Sequence, residues 1–411
     1  MNILRFTRLG AVALLIPCTA PAQPLTLAAA EREALQHNLG LHAQRYDVDA
    51  AEADITTAGL PTTNPQLTVN ADILPTGKIF APGDKFYGAS VAFPFELGGK
   101  RDARVAVANQ SKRAVAETVN DATRTLLLTV RTAFADALAS KSALQLATQN
   151  LALLDSVVAL NRIRVAAHDV AETELERSEI AAEQTRADLA SAQIDYNRTL
   201  AALQTVMGRT TLAQGMEIDG DLTVPPVVPV ASVADAQKYA REHRADLLAL
   251  RNTLTAQEAN VRLQEANAAI DLSVSADFSH QGSDNYYGST LSLPLPLYNR
   301  NQGERAKAAV HVTQTEQQVR ALEQQIDADT ETAFREFNAR LEIVDRQRKE
   351  LLPRAQHVRG AVEYAYRSGG TSILDFLDAQ RTYNDAMRAH IDALSALHKS
   401  AHALRAAMGG E

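Results

Sequence analysis

The sequence predicts a mainly helical protein with a small membrane β part, built from a helix, strand, strand and long helical hairpin unit that occurs twice. The first observation behind this prediction is the composition: 411 residues, 46% hydrophobic, 5% aromatic and without Trp. Such a chain, rich in Ala, Glu, Gln and Leu, is typical of long helices in lateral contact. The second is a repeat: Tyr87-Gly88-Ala89-Ser90 returns as Tyr287-Gly288-Ser289-Thr290, and Met207-Gly208 returns as Met408-Gly409.

Charge and composition exclude several classes of function. The chain has 41 basic and 49 acidic residues, a net charge of −8, and no basic blocks, which argues against a nucleic-acid partner. No uninterrupted apolar run reaches the length of about 18 residues that a membrane-spanning helix needs. No Ser-His-Asp or Cys-His arrangement stands out, so we predict that the protein is no enzyme and has no cofactor.

The N-terminus predicts export into a cell envelope. Two arginines precede an apolar run from Leu9 to Ile16, and Ala20-Pro21-Ala22 follows it, so residues 1–22 are interpreted as a secretory signal peptide. The alternative is a lipoprotein acylated at Cys18, the only cysteine. The segment Leu15-Ile16-Pro17-Cys18 is a poor acylation signal, because Pro replaces the small residue expected before the cysteine.

The repeat sets the predicted domain boundaries. A Pro-rich segment joins the two copies, and Ser232 followed by Asp235 is typical of a helix start. The two copies are predicted at 23–209 (strand pair 66–95, hairpin 101–208) and 232–411 (strand pair 271–295, hairpin 304–409), with opening helices at 26–58 and 232–268 and a linker at 210–231.

The predicted strands alternate apolar and polar residues, as in Gln66–Ile73 and Asp271–Phe278. Runs of about nine residues with this pattern suit strands of a membrane barrel, whereas periodicity alone favours half-buried strands of a soluble sheet. Phe80, Phe86 and Tyr286 lie where an interfacial aromatic belt is expected. Four strands cannot close a barrel, which needs about eight, so a membrane location requires an oligomer.

The predicted hairpins are too long for an ordinary domain. The segment 101–165 contains no Pro or Gly, and the corresponding segment 304–367 is interrupted only by Pro353 and Gly360. About 65 helical residues span roughly 100 Å. Apolar residues at three- and four-residue spacing predict coiled-coil seams, and the abundant small residues let each helix contact several neighbours, as the wall of a helical tube requires.

This order of elements resembles the TolC family of outer-membrane efflux channels over nearly the whole mature chain. The segment Phe93-Pro94-Phe95-Glu96-Leu97-Gly98-Gly99-Lys100-Arg101 is similar to the strand-to-helix segment of its heavy-metal, CzcC-type branch. The resemblance implies a homotrimer whose twelve strands close one barrel in the outer membrane of a Gram-negative cell, continued by a periplasmic helical tunnel. It further implies a periplasmic adaptor protein and an inner-membrane pump of the resistance-nodulation-division class as partners.

We therefore expect a passive export duct, with heavy-metal cations as cargo. A drug-efflux or type I secretion channel is the alternative within the family, and a structural periplasmic coiled-coil spacer is the alternative from another class. The strand pair at matching sites of both copies favours the duct, because a spacer has no need of it.

The candidate gate lies after the second hairpin turn. Asp375 and Asp378 are three residues apart, hence on one helix face, and threefold assembly would convert them into two rings of carboxylates with raised pKa values. The resemblance places them at the constricted periplasmic entrance and matches Tyr366 to a tyrosine that helps hold the closed state, whereas Thr371 stands where other members carry an arginine. The alternative is that acids in the first helical turn complement its dipole.

Two further groups are candidates for special roles. Pro94, Gly98, Gly99 and Pro294 are predicted to mark the exits from strands into the tunnel. His398 and His402, four residues apart on a helix, have a spacing able to hold a metal. Two ligands do not make a metal site, so we predict none.

Overall fold

The computed structural model describes residues 24–71, 86–211, 215–225 and 232–410. The predicted signal peptide with Cys18, the loop containing Phe80 and part of the predicted linker lie outside these residues. The elements in chain order are α1 (Leu27–His37), α2 (Leu39–Ala58), β1 (Gln66–Ala71), β2 (Phe86–Phe95), α3 (Lys100–Ala166), α4 (Glu172–Val206), α5 (Val233–His243), α6 (Ala245–Ala266), β3 (Leu272–Gln281), β4 (Asp284–Ser292), α7 (Gln302–Arg346), a π-helical turn (Gln347–Leu351), α8 (Leu352–Arg367) and α9 (Ile373–Ala407).

This order confirms the predicted fold class, because the same succession of helices, strand pair and hairpin occurs twice. The opening helices differ from the prediction: each is broken once, at Asn38 and at Arg244, which both adopt extended backbone. The Asn38 side chain accepts a hydrogen bond from the Leu41 N–H at 3.0 Å and so begins α2. The left-handed glycines Gly208 and Gly409, which follow α4 and α9, pack against these breaks.

The four strands form one antiparallel sheet in the order β1-β2-β3-β4. Its central pair, β2 and β3, joins the two copies, with Val91 opposite Ala276. Each outer strand pairs with the inner strand of its own copy. The sheet is therefore one unit made by both halves of the chain.

The long helices differ between the copies. α3 runs for 67 residues without a break, whereas the second copy has 45 residues of α7, a five-residue π turn and 16 residues of α8. Pro353 explains the π turn: it has no N–H to donate to the carbonyl of Lys349, so the helix is disturbed one turn before the proline. The Leu352 N–H instead reaches back five residues to the Gln347 carbonyl.

The core consists of packed helix faces rather than one globular interior. Val130 and Phe134 pack with Leu203 and Met207 of the same copy and with Ile218 of the linker. A separate cluster joins both copies at the hairpin turns, where Leu154, Val157 and Ala182 pack with Tyr366 and Phe376.

Among the described residues, one helix passes the length and composition test for a membrane-spanning helix. α3 contains an 18-residue stretch with a mean hydropathy of 1.3, of which 28% is buried, although it has no uninterrupted apolar run. The same helix supplies Leu127, Val130 and Phe134 to the core, and core helices pass this test as well.

Candidate functional site

The sheet has one apolar and one polar face. Side chains of directly opposed residues share a face, so the register assigns every strand residue to one side. The apolar face carries Leu67, Val69, Tyr87, Ala89, Val91, Phe93, Phe95, Leu272, Val274, Ala276, Phe278, Tyr287 and Leu291. The polar face carries Gln66, Thr68, Asn70, Ser90, Ser273, Ser275, Asp277, Ser279, Thr290 and Ser292, and also Phe86 and Tyr286. These two aromatic residues of the predicted belt thus lie on the side opposite to the apolar face, because each is displaced by one residue from the apolar alternation.

Neither face is covered by the rest of the described chain. Leu67, Val69 and Leu291 have exposed fractions of 68%, 69% and 64% on the apolar face. The polar residues His280 and Asn285 lie on this same face, where their side chains pair at 2.8 Å. An apolar surface of this extent marks an interaction with lipid or protein.

Both outer strands have a free edge within the described chain. β1 pairs only with β2, and β4 pairs only with β3. Unpaired strand edges are not tolerated in a hydrocarbon layer, because each free N–H and C=O costs several kcal/mol there. The single chain therefore cannot place this sheet in a bilayer by itself.

The predicted exit residues lie where strands end and long helices begin. Pro94 is the second-last residue of β2 and lies opposite Ser273 of β3, beyond the part of β2 that pairs with β1. Pro294 follows the end of β4. Gly98 and Gly99 have φ of 75° and 70°. A Cβ on Gly98 would lie 2.4 Å from the Cβ of Ala269, so this glycine permits a close approach as well as a turn.

Ion pairs that the sequence reasoning missed hold the first exit. The Arg104 guanidinium donates hydrogen bonds to the Glu96 carboxylate, the shorter at 2.8 Å. These bonds, with further ones from Thr62, lower the pKa of Glu96 to about 2. Lys100 reaches Asp271 at 2.7 Å and so ties this exit to the segment that precedes β3.

Asp375 and Asp378 lie in the first turns of α9, and both are exposed. Asp375 forms a capping box with Ser372 and accepts a hydrogen bond from Thr371 at 2.8 Å. These hydrogen bonds lower the pKa of Asp375 within one chain. The raised pKa expected from threefold crowding stays a prediction, and the cap shows that Asp375 also has the ordinary helix-start role.

Tyr366 is buried, with an exposed fraction of 1%, and does not share the surface of the two aspartates. Its hydroxyl donates a hydrogen bond of 2.6 Å to Asn161 on α3, and its ring stacks on Phe376 at a centroid distance of 5.1 Å. Burial, more than any other factor, raises its pKa. Tyr366 thus ties the second hairpin to the first.

Arg164 completes this contact and was missed from sequence. Its guanidinium donates to the backbone carbonyls of Tyr366 at 3.1 Å and Arg367 at 2.6 Å, and lies 5.5 Å from the centre of the Tyr366 ring. Asn161 and Arg164 are three residues apart on α3, hence on one face. No sequence motif marks them, because their partners are about 200 residues away. We name Asn161, Arg164 and Tyr366 the hairpin clamp.

His398 and His402 do not form a metal centre with other side chains. His398 is hydrogen-bonded to the carbonyl of Thr223, and burial lowers the pKa of His402 to about 4. The two rings are 6.3 Å apart. In the described ranges no group of three or more His, Cys, Asp or Glu side chains is placed to hold a metal ion.

An amphipathic sheet continued by two long helical hairpins defines the class of TolC-like channel subunits. The solved structure of CusC, from a study of its folding and transmembrane channel formation, is similar over 94% of this chain and 92% of its own, with a TM-score of 0.76 and 20% identity. This similarity shows that the two proteins share a fold.

The chain belongs to the outer membrane efflux protein family, because the sequence profile of that family matches residues 31–209 and 237–410. Among curated relatives, the cobalt-zinc-cadmium resistance protein CzcC of Cupriavidus metallidurans is 24% identical over 94% of this chain and 91% of its own length. The nickel-cobalt-cadmium resistance protein NccC of Alcaligenes xylosoxydans xylosoxydans is 25% identical over 63% of this chain and 58% of its own length. The pyoverdine export protein OpmQ of Pseudomonas putida is 28% identical over 79% of this chain and 70% of its own length. The resemblance to the heavy-metal branch is confirmed.

Proposed function

We propose that the protein is the outer-membrane channel subunit of a tripartite efflux system. Three copies form the channel, with the sheet in outer-membrane lipid and the hairpins in the periplasm. A periplasmic adaptor and an inner-membrane pump of the resistance-nodulation-division class deliver the cargo. The protein itself provides a passive duct and performs no catalysis.

The observation that carries this proposal is the amphipathic sheet with two free edges. Pairing β4 of one copy with β1 of the next removes both edges, and three copies supply twelve strands, an even number that suits a closed outer-membrane barrel. In such a barrel the face with Leu67 and Leu291 contacts lipid, and the face with Thr68 and Asp277 lines water.

Extraction and mass measurement test this assembly. The full-length chain, expressed with its N-terminal segment in a Gram-negative host, should require detergent for extraction, have the mass of three chains and migrate on unheated gels at a higher apparent mass than the heated chain. A soluble periplasmic monomer or dimer would overturn the proposal in favour of the coiled-coil spacer.

For the cargo we propose heavy-metal cations, supported by the relatives CzcC and NccC and by the Phe93–Arg101 segment. Deletion of the gene should lower tolerance to one or more of Co, Zn, Cd, Ni, Cu and Ag, and the intact gene should restore it. The relative OpmQ, a pyoverdine export protein, favours a second candidate, export of a pyoverdine. Unchanged metal tolerance with reduced pyoverdine secretion would favour that cargo.

We further propose that the turn between α8 and α9 forms the periplasmic gate. In a trimer, Asp375 and Asp378 would form two rings of three carboxylates that attract divalent cations. The hairpin clamp, centred on Tyr366, would hold the second hairpin against the first and so keep the gate closed.

A further inference from the structure

A polar cavity of about 280 Å³ lies between α3, α8 and α9. Its size suits a small ion with water rather than a drug-sized molecule, which needs about 300–1,000 Å³. Most of its lining is polar. The lining residues are Leu146, Gln149, Asn150, Leu153, Arg359, Glu363, Gln380, Tyr383 and Asn384.

The cavity contains an arginine without an anionic partner. Arg359 is partly buried, its Nε is fully buried without a hydrogen bond, and it forms no ion pair within the described part of the chain. Its guanidinium lies 4.2 Å from the centre of the Tyr383 ring, which fixes its position but neutralises no charge. The one carboxylate in the lining, Glu363, pairs with Arg367 at 3.0 Å. A buried N–H donor without a partner is costly unless a ligand accepts its hydrogen bond.

Amide groups line the same cavity. Gln380 is only 4% exposed and donates through Nε2 to the side-chain oxygens of Asn150 and Asn384, both at 3.1 Å. Since their oxygens accept from Gln380, the Nδ2 donors of both asparagines remain for a ligand. The Gln380 Oε1 is buried without a donor. The site therefore offers one cation, several amide donors and one acceptor.

The first copy shows that the fold does not require this arrangement. With the displacement of 201 residues that relates the hairpin turns, Arg359 corresponds to Val158 and Tyr383 to Ala182. Val158 and Ala182 are buried in an apolar cluster. The second copy has thus replaced a packed apolar contact by a polar cavity, which a purely structural role does not explain.

We propose that this cavity binds a small oxyanion, a carboxylate or a phosphate. Arg359 donates to two of its oxygens, and Asn150 and Asn384 donate to the others. A hydroxyl of a partly protonated phosphate, or a water bound with a carboxylate, donates to the Gln380 Oε1. Because the lining comes from α3 of the first copy and from α8 and α9 of the second, the bound anion joins the two hairpins close to the hairpin clamp.

The proposal predicts anion-dependent stability of the full-length protein in detergent. With ionic strength kept constant by chloride, inorganic phosphate or acetate should raise the unfolding temperature by about 2–4 °C in a saturable manner. Whichever salt raises the unfolding temperature more, phosphate or acetate, shows whether the site prefers a phosphate or a carboxylate. Titration calorimetry with the same salts should show one site per chain. No anion effect beyond that of chloride would overturn the proposal.

Two variants make the test specific. Arg359→Gln removes the unpaired charge, so without anion its unfolding temperature should equal or exceed that of the natural protein, and the response to phosphate and acetate should vanish. Arg354→Gln, an exposed arginine on the same helix, is the matched control and should keep the full response. An unchanged response of Arg359→Gln would overturn the proposal. Weaker trimerisation of Arg359→Gln, together with no effect of phosphate or acetate on the natural protein, would also overturn the proposal. That result would indicate that a carboxylate of a neighbouring copy fills the cavity.

Discussion

The two hairpins of this chain share their backbone turns but not their side chains. The start of the long helix has a left-handed residue in both copies, Gly99 with φ of 70° and Asn301 with φ of 60°. The hairpin turn has His168 in one copy and Gly369 in the other, with φ of 62° and 80°. The architecture therefore retains a backbone conformation whichever residue supplies it.

Side chains at equivalent places diverge around the second turn. Tyr366 corresponds to Val165 and Asp378 to Arg177, and the uninterrupted α3 corresponds to a helix with a π turn. Features present in both copies serve the fold, whereas features of one copy are candidates for function. Changes at shared positions should therefore alter stability, and changes at divergent ones should alter conduction.

The largest effect is expected at a shared position, Gly208. A Cβ here would lie 2.4 Å from the carbonyl oxygen of His37, in addition to the strain of φ at 84°. Gly208→Ala should lower the free energy of unfolding by about 3 kcal/mol or more. Gly369→Ala is the control, because its Cβ would meet nothing within 4 Å, and it should cost only about 1 kcal/mol. Equal costs in chemical denaturation would contradict the packing argument.

Removing the gate charges should change conduction without a comparable loss of stability. Asp375→Asn with Asp378→Asn keeps a capping oxygen but removes the proposed carboxylate rings, so block by divalent cations in planar bilayers should weaken several-fold. Glu174→Gln with Glu176→Gln removes equal charge at the first turn and should leave the block unchanged. If both double variants weakened the block by divalent cations equally, the second turn would have no special role in cation binding.

Loosening the hairpin clamp should have a moderate effect on both properties. Tyr366→Phe retains the ring stack with Phe376 but loses the 2.6 Å hydrogen bond to Asn161, at a cost of about 1–2 kcal/mol. The channel should open more often in bilayer recordings. Tyr364→Phe, with 77% of the residue exposed, is the matched control. If Tyr366→Phe destabilised the protein yet left opening unchanged, the clamp would be structural only.

The smallest effect is expected at His168, where the first turn uses a residue that the second replaces by glycine. His168→Gly should relieve left-handed strain but increase the freedom of the unfolded chain, a net stabilisation of about 0.5 kcal/mol. Denaturation midpoints would measure it. A clear destabilisation would indicate that the exposed His168 side chain makes a contact in the assembled protein.

Sequence reasoning predicted the features that depend on local pattern. Alternation placed the strands, and the absence of Pro and Gly predicted the length of α3, because these signals act within a few residues. It missed the breaks at Asn38 and Arg244, although Asn38 caps α2 by accepting a local hydrogen bond from the Leu41 N–H; Gly208 and Gly409 pack against these breaks from distant helices. It also missed Asn161, Arg164 and the cavity around Arg359. These sites exist only where the two copies meet, and no single sequence window contains both partners.

The central strand pair has a consequence for how the protein forms. Val91 and Ala276 pair directly although 185 residues separate them, so the central strand pair cannot form before about two thirds of the chain has emerged. Long-range pairing of this kind slows folding and leaves aggregation-prone strands exposed meanwhile. The strands of the first half must therefore wait with their apolar side chains unprotected, and chaperones that hold such strands should determine how much of the chain reaches its folded state.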